Sequence, residues 1–322
     1  MKNQTTAVIV TYESAEVIGP CVESCLSLGL DVIVVDNASR DGTAEAAARA
    51  GARVIANPEN RGFGAAVNQG IAASRRPFVL LLNPDAAVAA GIGVLIEACA
   101  RPDVAAAAGR LLDENGRFQR GFSLRRLPTP AALICEVLGI NRLWRGNPVN
   151  RRYRCLDLSE DEACDVEQPA GAFLLTRRDA WEAVGGFDER FFPIWFEDVD
   201  YCRRLRDKGL RIRFEPAATA RHLGGHSAGK LEWGSREVYW YASLLKYACK
   251  HFPRNRTALV CLAVAGGSLP RLLAGIPHRG ALRSIRTYGK VIRLACRCLC
   301  SGGGLSGCFD RTIKDQAHIH VL

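Results

Sequence analysis

Four short apolar runs in the first hundred residues each end in a cluster of polar side chains. Ala7 to Thr11 runs into Thr11-Tyr12-Glu13, Val32 to Val35 into Asp36-Asn37-Ala38-Ser39, Arg53 to Ala56 into Asn57-Pro58-Glu59-Asn60-Arg61-Gly62, and Phe78 to Leu82 into Asn83-Pro84-Asp85. Ligands of open α/β sheets bind beyond the carboxyl ends of the strands, so four polar strand ends point to one shared site. An ionised carboxylate only accepts hydrogen bonds, which suits Asp36 to the N3–H of a uracil or thymine ring. The alternative is that Asp36-Asn37 does no more than make a turn. No GxGxxG follows the first run, against a dinucleotide site of the dehydrogenase type.

The elements that must position these residues follow from the same pattern. Short continuous apolar runs alternating with helical segments up to about residue 110 predict a mostly parallel sheet flanked by helices. Asp41-Gly42-Thr43 opens an Ala-rich helix that Gly51 closes. Asp113-Glu114-Asn115-Gly116 predicts a hairpin turn, since Asn-Gly tolerates positive φ. Residues 123–165, with Arg125-Arg126 and Leu127-Pro128-Thr129-Pro130, read as an insertion over the site. A strand at Ala172 to Thr176 and helices from Asp179 and from Glu197 follow, the latter stopped by Gly209.

The order and spacing of several motifs resemble glycosyltransferase family 2. They are Val10-Thr11-Tyr12, V-V-D-N-A-S-R-D-G-T at 34–43, N-R-G-F-G-A-A-V-N-Q-G at 60–70, L-L-N-P-D-A at 81–86, P-A-G-A-F at 169–173, G-G-F-D-E at 185–189, W-F-E-D-V-D at 195–200 and H-L-G-G-H-S at 222–227. The resemblance implies a GT-A fold, a Rossmann-like domain over residues 1–230 with a nucleotide half at 5–110 and an acceptor half at 111–230, followed by a helical extension at 231–322. It implies an inverting transfer from a nucleotide sugar. Donor contacts are then expected from Thr11, Tyr12, Glu13, Asp36, Asn37, Asn60, Gly62, Asn68, Asn83 and Asp85.

Asn83-Pro84-Asp85 stands where the family carries its D-x-D metal motif, with the first Asp missing. One carboxylate plus substrate phosphates still suits Mg2+ or Mn2+, so Asp85 is the expected metal ligand, against an ordinary cap as the alternative. The Asn-Pro-Asp form resembles the rhamnosyltransferase-like branch and points to dTDP-L-rhamnose, with UDP-sugars as the other pyrimidine donors. Glu197-Asp198 matches the pair at which the family places its catalytic base; Asp198 takes that role here, because an acceptor hydroxyl must lose a proton as it attacks. Acids in a first helical turn also complement the helix dipole, whatever their chemistry. His222 falls where related enzymes carry a histidine after the last sheet strand, an imidazole placed to complete the metal shell or to touch the diphosphate, although a lone His is commonly structural. Gly171, Asp188, Trp195 and Glu197 are expected on the acceptor side, where Trp195 stacks on a sugar or merely packs.

Composition limits what remains. With 322 residues, 48% hydrophobic, the chain can bury a large core. Its 13 cysteines form no CxxC pair, and Cys296, Cys298 and Cys300 lack histidines nearby, so reduced, buried thiols are expected. No secretory signal is evident at the amino terminus, which predicts a cytoplasmic enzyme. The net charge of +10 calls for an anionic partner. After Glu237 no acid appears until Asp310, and Arg279, Arg283, Arg286, Lys290, Arg293 and Arg297 recur at helical spacing. That pattern predicts a basic amphipathic helix on the inner membrane face, near a lipid-linked saccharide acceptor. The apolar stretch 257–276, interrupted by Gly266-Gly267-Ser268, Pro270 and Arg271, reads as a shallow or re-entrant segment. The rival from another class is a membrane-bound nucleotide-sugar-binding protein without catalysis. Nucleic acid is not an expected partner, because no recognition motif accompanies the basic residues.

Overall fold

A computed structural model of the chain describes residues 4–224 and 229–301. The chain divides into two compact units: Met1–Leu127 with Arg152–Lys230, and Pro128–Arg151 with Leu231–Leu322.

The first unit is built on a sheet containing β1 (Thr5–Thr11), β2 (Asp31–Asp36), β3 (Arg53–Ala56), β4 (Phe78–Leu82), β5 (Ala86–Ala90) and β6 (Val104–Leu112). After β7 (Leu124–Arg125) come β8 (Cys164–Val166), β9 (Gln168–Pro169), β10 (Phe173–Arg177) and β11 (Arg211–His222). The spatial order is β3-β2-β1-β4-β10-β6-β11-β5, with β8 added on β11, while β7 and β9 pair separately. The sheet is mixed. β1 to β4 run parallel where they pair, as their continuous apolar runs require, and β10 enters antiparallel between β4 and β6.

Alternation along the strands explains the two covering layers. Ala7, Ile9, Val32, Val34, Leu80 and Leu82 face one way, onto Ile18, Cys21, Val22 and Cys25 of the first helix and Leu95 and Ile96 of a later one. Their neighbours Val8, Val10, Ile33, Val35, Val79 and Leu81 face the other way. There they meet Ala66, Val67 and Ile71 of the helix Phe63–Ala73 and Tyr201, Cys202 and Leu205 of the helix Glu197–Asp207. Most buried side chains thus hold strand ends in place, which is what a site at those ends needs.

The second unit consists of helices. Trp233–His251, Arg254–Arg279 and Ala281–Cys300 are joined by the segment 128–151, whose first helix is Pro130–Val137. Thr129 caps that helix, its Oγ1 accepting from Ala132 N at 3.2 Å, and Pro130 occupies the first turn. The expectation of one insertion over the site at 123–165 is corrected here. Residues 124–125 pair with β9 in the first unit, and 128–151 pack among the helices of the second.

Arg254–Arg279 is one continuous helix, long and apolar enough to cross a bilayer, rather than an interrupted segment. Gly267 is there for packing: a Cβ on it would lie 2.2 Å from Val137 O. Arg271 donates to the carbonyl oxygens of Val137, Glu136 and Gly267, closing the carboxyl end of the Pro130–Val137 helix. The residues read as helix breakers are therefore what lets a second helix end against the first. The sequence also predicts buried thiols, and Cys21, Cys25, Cys99, Cys155, Cys202, Cys261 and Cys298 are buried, but Cys296 and Cys300 are exposed.

Candidate functional site

Asp36 ends β2 almost fully buried, and its carboxylate is already well used. Oδ1 accepts from Thr11 Oγ1 at 2.8 Å and Ser39 Oγ at 2.5 Å, and Oδ2 accepts from Ser39 N at 3.0 Å. A carboxylate offers roughly four acceptor positions, so one remains for a ligand. Ser39 Oγ in turn accepts from Glu13 N at 2.8 Å, and Glu13 Oε1 accepts from Arg40 N at 2.9 Å. Glu13 sits at φ 50°, its carbonyl bonded by Lys230. The ends of β1 and β2 are thereby locked together, with half-buried Tyr12 between Thr11 and Glu13.

Asn37 is a tie between loops. Its Nδ2 donates to Gly62 O at 3.2 Å, while its Oδ1 accepts from Asn57 Nδ2 at 3.0 Å and Arg61 N at 3.4 Å. Asn60 Oδ1 accepts from Gly62 N at 2.9 Å, shaping the turn into the helix Phe63–Ala73. Gly62 has φ 83°, and a Cβ there would meet Phe192 at 2.8 Å, so glycine is required both by conformation and by space.

Asn68 is not available to a donor. Its Nδ2 donates to Phe187 O and Glu189 Oε1, and its Oδ1 accepts from Trp181 Nε1 and Phe187 N. All four hydrogen-bonding positions of the amide are committed to protein, which corrects its expected donor-binding role. It holds the Gly185–Glu189 turn, on which Asp188 binds Arg190 through two oxygens at 2.8 and 2.6 Å.

At the end of β4 the structure brings together Asn83, Asp85 and His222, residues separated by up to 139 positions. His222 Nε2 lies 3.4 Å from Asp85 Oδ1 and 3.2 Å from Asn83 Nδ2, with Asp85 and His222 both buried. The other ring nitrogen, Nδ1, faces Gln119 Oε1 at 2.9 Å, and Gln119 Nε2 donates to His222 O at 2.8 Å. That clamp fixes the Gln119 amide, so Nδ1–H donates to Gln119 Oε1, and Nε2 is left facing Asn83 Nδ2 and Asp85 Oδ1. Phe122 stacks on the ring at 5.3 Å between centroids, 12° from parallel.

The sequence singled out neither Gln119 nor Phe122. The signal was the Asn115-Gly116 turn: Asp113 N bonds Arg117 O, and the returning chain bonds Gln119 N to Leu111 O. β11 runs alongside with Arg221 opposite Leu112, which sets His222 next to Gln119. Gly225, His226 and Ser227 of the same motif lie outside the described residues.

The expected base is at the start of the helix Glu197–Asp207. Asp198 Oδ2 accepts from Gly171 N at 3.1 Å and Gln168 Nε2 at 3.4 Å, and Oδ1 from Val199 N at 2.8 Å. Desolvation nevertheless raises its pKa, outweighing those backbone bonds and the Arg125 charge, and so makes it a stronger base. Glu197 is buried, with Oε2 lacking a partner, and burial followed by the Asp198 charge pushes its pKa well up. Asp200 turns away and binds Arg204 at 2.7 Å. Gly171 packs directly on Asp198, its position for a Cβ only 3.4 Å from the Asp198 Cβ. Trp195 and Phe196 precede the helix at φ 79° and 68°, two non-glycine residues held in the left-handed region. Such positions cost on the order of 1–3 kcal/mol each and gather at functional sites.

The Glycosyl transferase family 2 profile matches residues 6–154. The N-acetylglucosaminyl-diphospho-decaprenol L-rhamnosyltransferase of Mycobacterium tuberculosis is 34% identical over 253 residues, 71% of this chain and 79% of that protein. The chain belongs to glycosyltransferase family 2. Another relative, rhamnosyltransferase WbbL of Escherichia coli, is 27% identical over 147 residues, 45% of this chain and 50% of its own. Among solved structures, a mannosyltransferase from Pyrobaculum calidifontis in complex with GDP-Man and Mn2+ covers 99% of this chain and 84% of its own at TM-score 0.50 and 17% identity. That likeness supports the GT-A fold for this family 2 glycosyltransferase.

Proposed function

We propose that this family 2 enzyme is a metal-dependent inverting transferase that moves L-rhamnose from dTDP-L-rhamnose to a lipid-linked saccharide on the cytoplasmic face of a membrane. The observation that carries the chemistry is the Asp85–His222 pair, a carboxylate oxygen and an imidazole nitrogen 3.4 Å apart at the strand ends. Ligand bonds of about 2.0–2.2 Å set neighbouring donors of one divalent ion about 3 Å apart, so the pair fits Mg2+ or Mn2+. Among the described residues no third acidic, histidine or cysteine ligand joins them, which suits an ion completed by water and substrate phosphate. Bound there, the ion supplies the counter-charge of the departing nucleoside diphosphate.

The chain's own groups do the rest. Thr11, Tyr12, Glu13 and Asp36 line the base and ribose side, with the spare acceptor position of Asp36 directed to the pyrimidine N3–H. Asn83 stands beside the diphosphate. Asp198 takes the acceptor proton, held in place by Gly171 and Val199 N–H groups, while Glu197 and Trp195 wall the acceptor side. The rhamnosyl donor and lipid-linked acceptor rest on what the names of the two relatives say of those proteins. The membrane face rests on the apolar helix Arg254–Arg279 and the basic residues after it.

A panel of nucleotide sugars, offered to the purified protein with Mg2+ or Mn2+ and a polyprenyl-diphosphate saccharide, tests the donor. Release of dTDP from dTDP-L-rhamnose is expected. Release of UDP alone would replace the donor, and release of no nucleoside diphosphate from any of them would overturn the transferase reading.

A further inference from the structure

Away from the transfer site, the helical unit contains a basic cavity of about 480 Å³. Its walls are the amino end of the helix Trp233–His251 and the turn that joins Arg254–Arg279 to Ala281–Cys300. Four cations line it, Arg279, Arg283, Arg286 and Lys290, against the single acid Glu232. Glu232 is already engaged: one oxygen caps the helix by accepting from Ser235 N at 2.9 Å, and the other lies 3.5 Å from Arg283 Nε. Arg279 sits over the Trp233 ring, 5.5 Å from its centre. Among the described residues Arg286 and Lys290 have no acidic partner, and both are exposed. The cavity therefore keeps an excess of positive charge, which is an environment for an anion.

What surrounds the cavity narrows the anion. Leu282, in its wall, and Ile285 one turn later are each more than half exposed. Leu269, Leu273 and Ile276 form a stripe on the last turns of the preceding helix, with both leucines more than half exposed. Gly275 and Ser284 hold these two helices close, since a Cβ on Gly275 would lie 2.7 Å from Ser284 Oγ. A free phosphate or a nucleic acid gains nothing from exposed leucines beside its site. A lipid does, because acyl chains cover the apolar stripe while the headgroup meets the cations.

We infer that this cavity is a binding site for a lipid-borne phosphate, filled when the hairpin of the last two long helices rests on a bilayer. The inference rests on the membrane reading and adds to it a defined headgroup pocket. It also relocates the membrane-facing apolar surface. Tyr288, Val291, Leu294, Ala295 and Cys298 of the last helix are buried, which leaves Leu282 and Ile285, at the hairpin tip, as its most exposed apolar residues.

The test uses the full chain and three soluble probes in calorimetry at constant ionic strength: dihexanoyl phosphatidic acid, dihexanoyl phosphatidylcholine and inorganic phosphate. Phosphatidic acid is expected to bind tightest, and Arg286→Gln with Lys290→Gln should weaken it about tenfold or more, two basic residues being removed. Both positions are exposed, so an unchanged melting temperature is expected and confirms that folding is intact. Binding of phosphatidic acid within twofold of wild type by the double variant would overturn the pocket, as would inorganic phosphate binding equally well. Flotation with vesicles containing phosphatidic acid tests the underlying reading separately. A wild-type protein that binds the soluble lipid but floats with no vesicle would overturn the membrane reading and leave the pocket standing.

Discussion

Asp198 is held by two backbone N–H groups and yet has its pKa raised, because desolvation outweighs those bonds. Asp198→Asn keeps the shape and the contacts to Gly171 and Val199 but cannot take a proton, so turnover should fall about 10²- to 10⁴-fold with donor binding nearly unchanged. Wild-type turnover would remove it from the mechanism. The same shift sets the pH dependence. Activity should fall as pH drops through the raised folded-state value, placing the acid limb above the usual carboxylate range. For stability the sign is opposite: the folded state binds the extra proton, so the contribution is present below the unfolded pKa and lost as pH rises. The asparagine variant should accordingly melt no lower than wild type at neutral pH, measured by calorimetry across a pH series. Gln119 makes a second prediction at this scale. Gln119→Leu frees the His222 tautomer and should weaken Mn2+ binding about 10- to 100-fold, read by paramagnetic resonance of free Mn2+. Unchanged affinity would show that the clamp does not orient the ring. Asp85, Asp198 and His222 could be singled out from the sequence because each sits in a local motif. The Asn115-Gly116 turn marked where Gln119 returns but not its His222 partner, and the closed hydrogen-bonding set of Asn68 left no mark, since both depend on partners over a hundred residues away.

Elements differed in legibility for a similar reason. β3 and β4 fall where uninterrupted apolar runs put them, and Gly209, at φ 77°, ends the helix Glu197–Asp207 as its position suggests. The antiparallel entry of β10 left no local mark, because pairing direction is decided by which strands it lies between. Gly266-Gly267-Ser268 was misleading on propensity alone, where glycine weakens a helix by roughly 1 kcal/mol relative to alanine. In the structure Ser268 Oγ donates back to Val264 O at 2.7 Å, and Gly267 carries the approach of Val137. Gly267→Val should therefore destabilise the helical unit by about 1–3 kcal/mol through overpacking, although valine is the better residue for a buried apolar helix face. Denaturant unfolding followed by a probe in the second unit checks this. A midpoint equal to wild type would mean that the two helices separate without cost.

At the scale of the whole molecule, two units with their own buried residues share one chain, and the strand-end site belongs entirely to the first. A ligand that binds only folded protein stabilises it by mass action, about 2.7 kcal/mol at a hundred times its dissociation constant. For a unit of this size each kcal/mol moves the melting midpoint by about 2–4 °C. Adding dTDP with Mn2+ should thus raise the transition of the first unit by several degrees and leave a transition of the helical unit where it was. With dTDP in excess chelator the rise should largely vanish, because the diphosphate then meets Asp85 with no counter-charge between them. UDP with Mn2+ tests the base at the same time: Asp36 accepts from N3–H of either pyrimidine, so any gap between dTDP and UDP must come from the ribose hydroxyl and the ring methyl. GDP should give the smallest rise of the three, since a purine does not present that N3–H. An equal rise with dTDP in chelator would sink the Asp85–His222 metal assignment, and a larger rise with GDP would sink the pyrimidine assignment of Asp36.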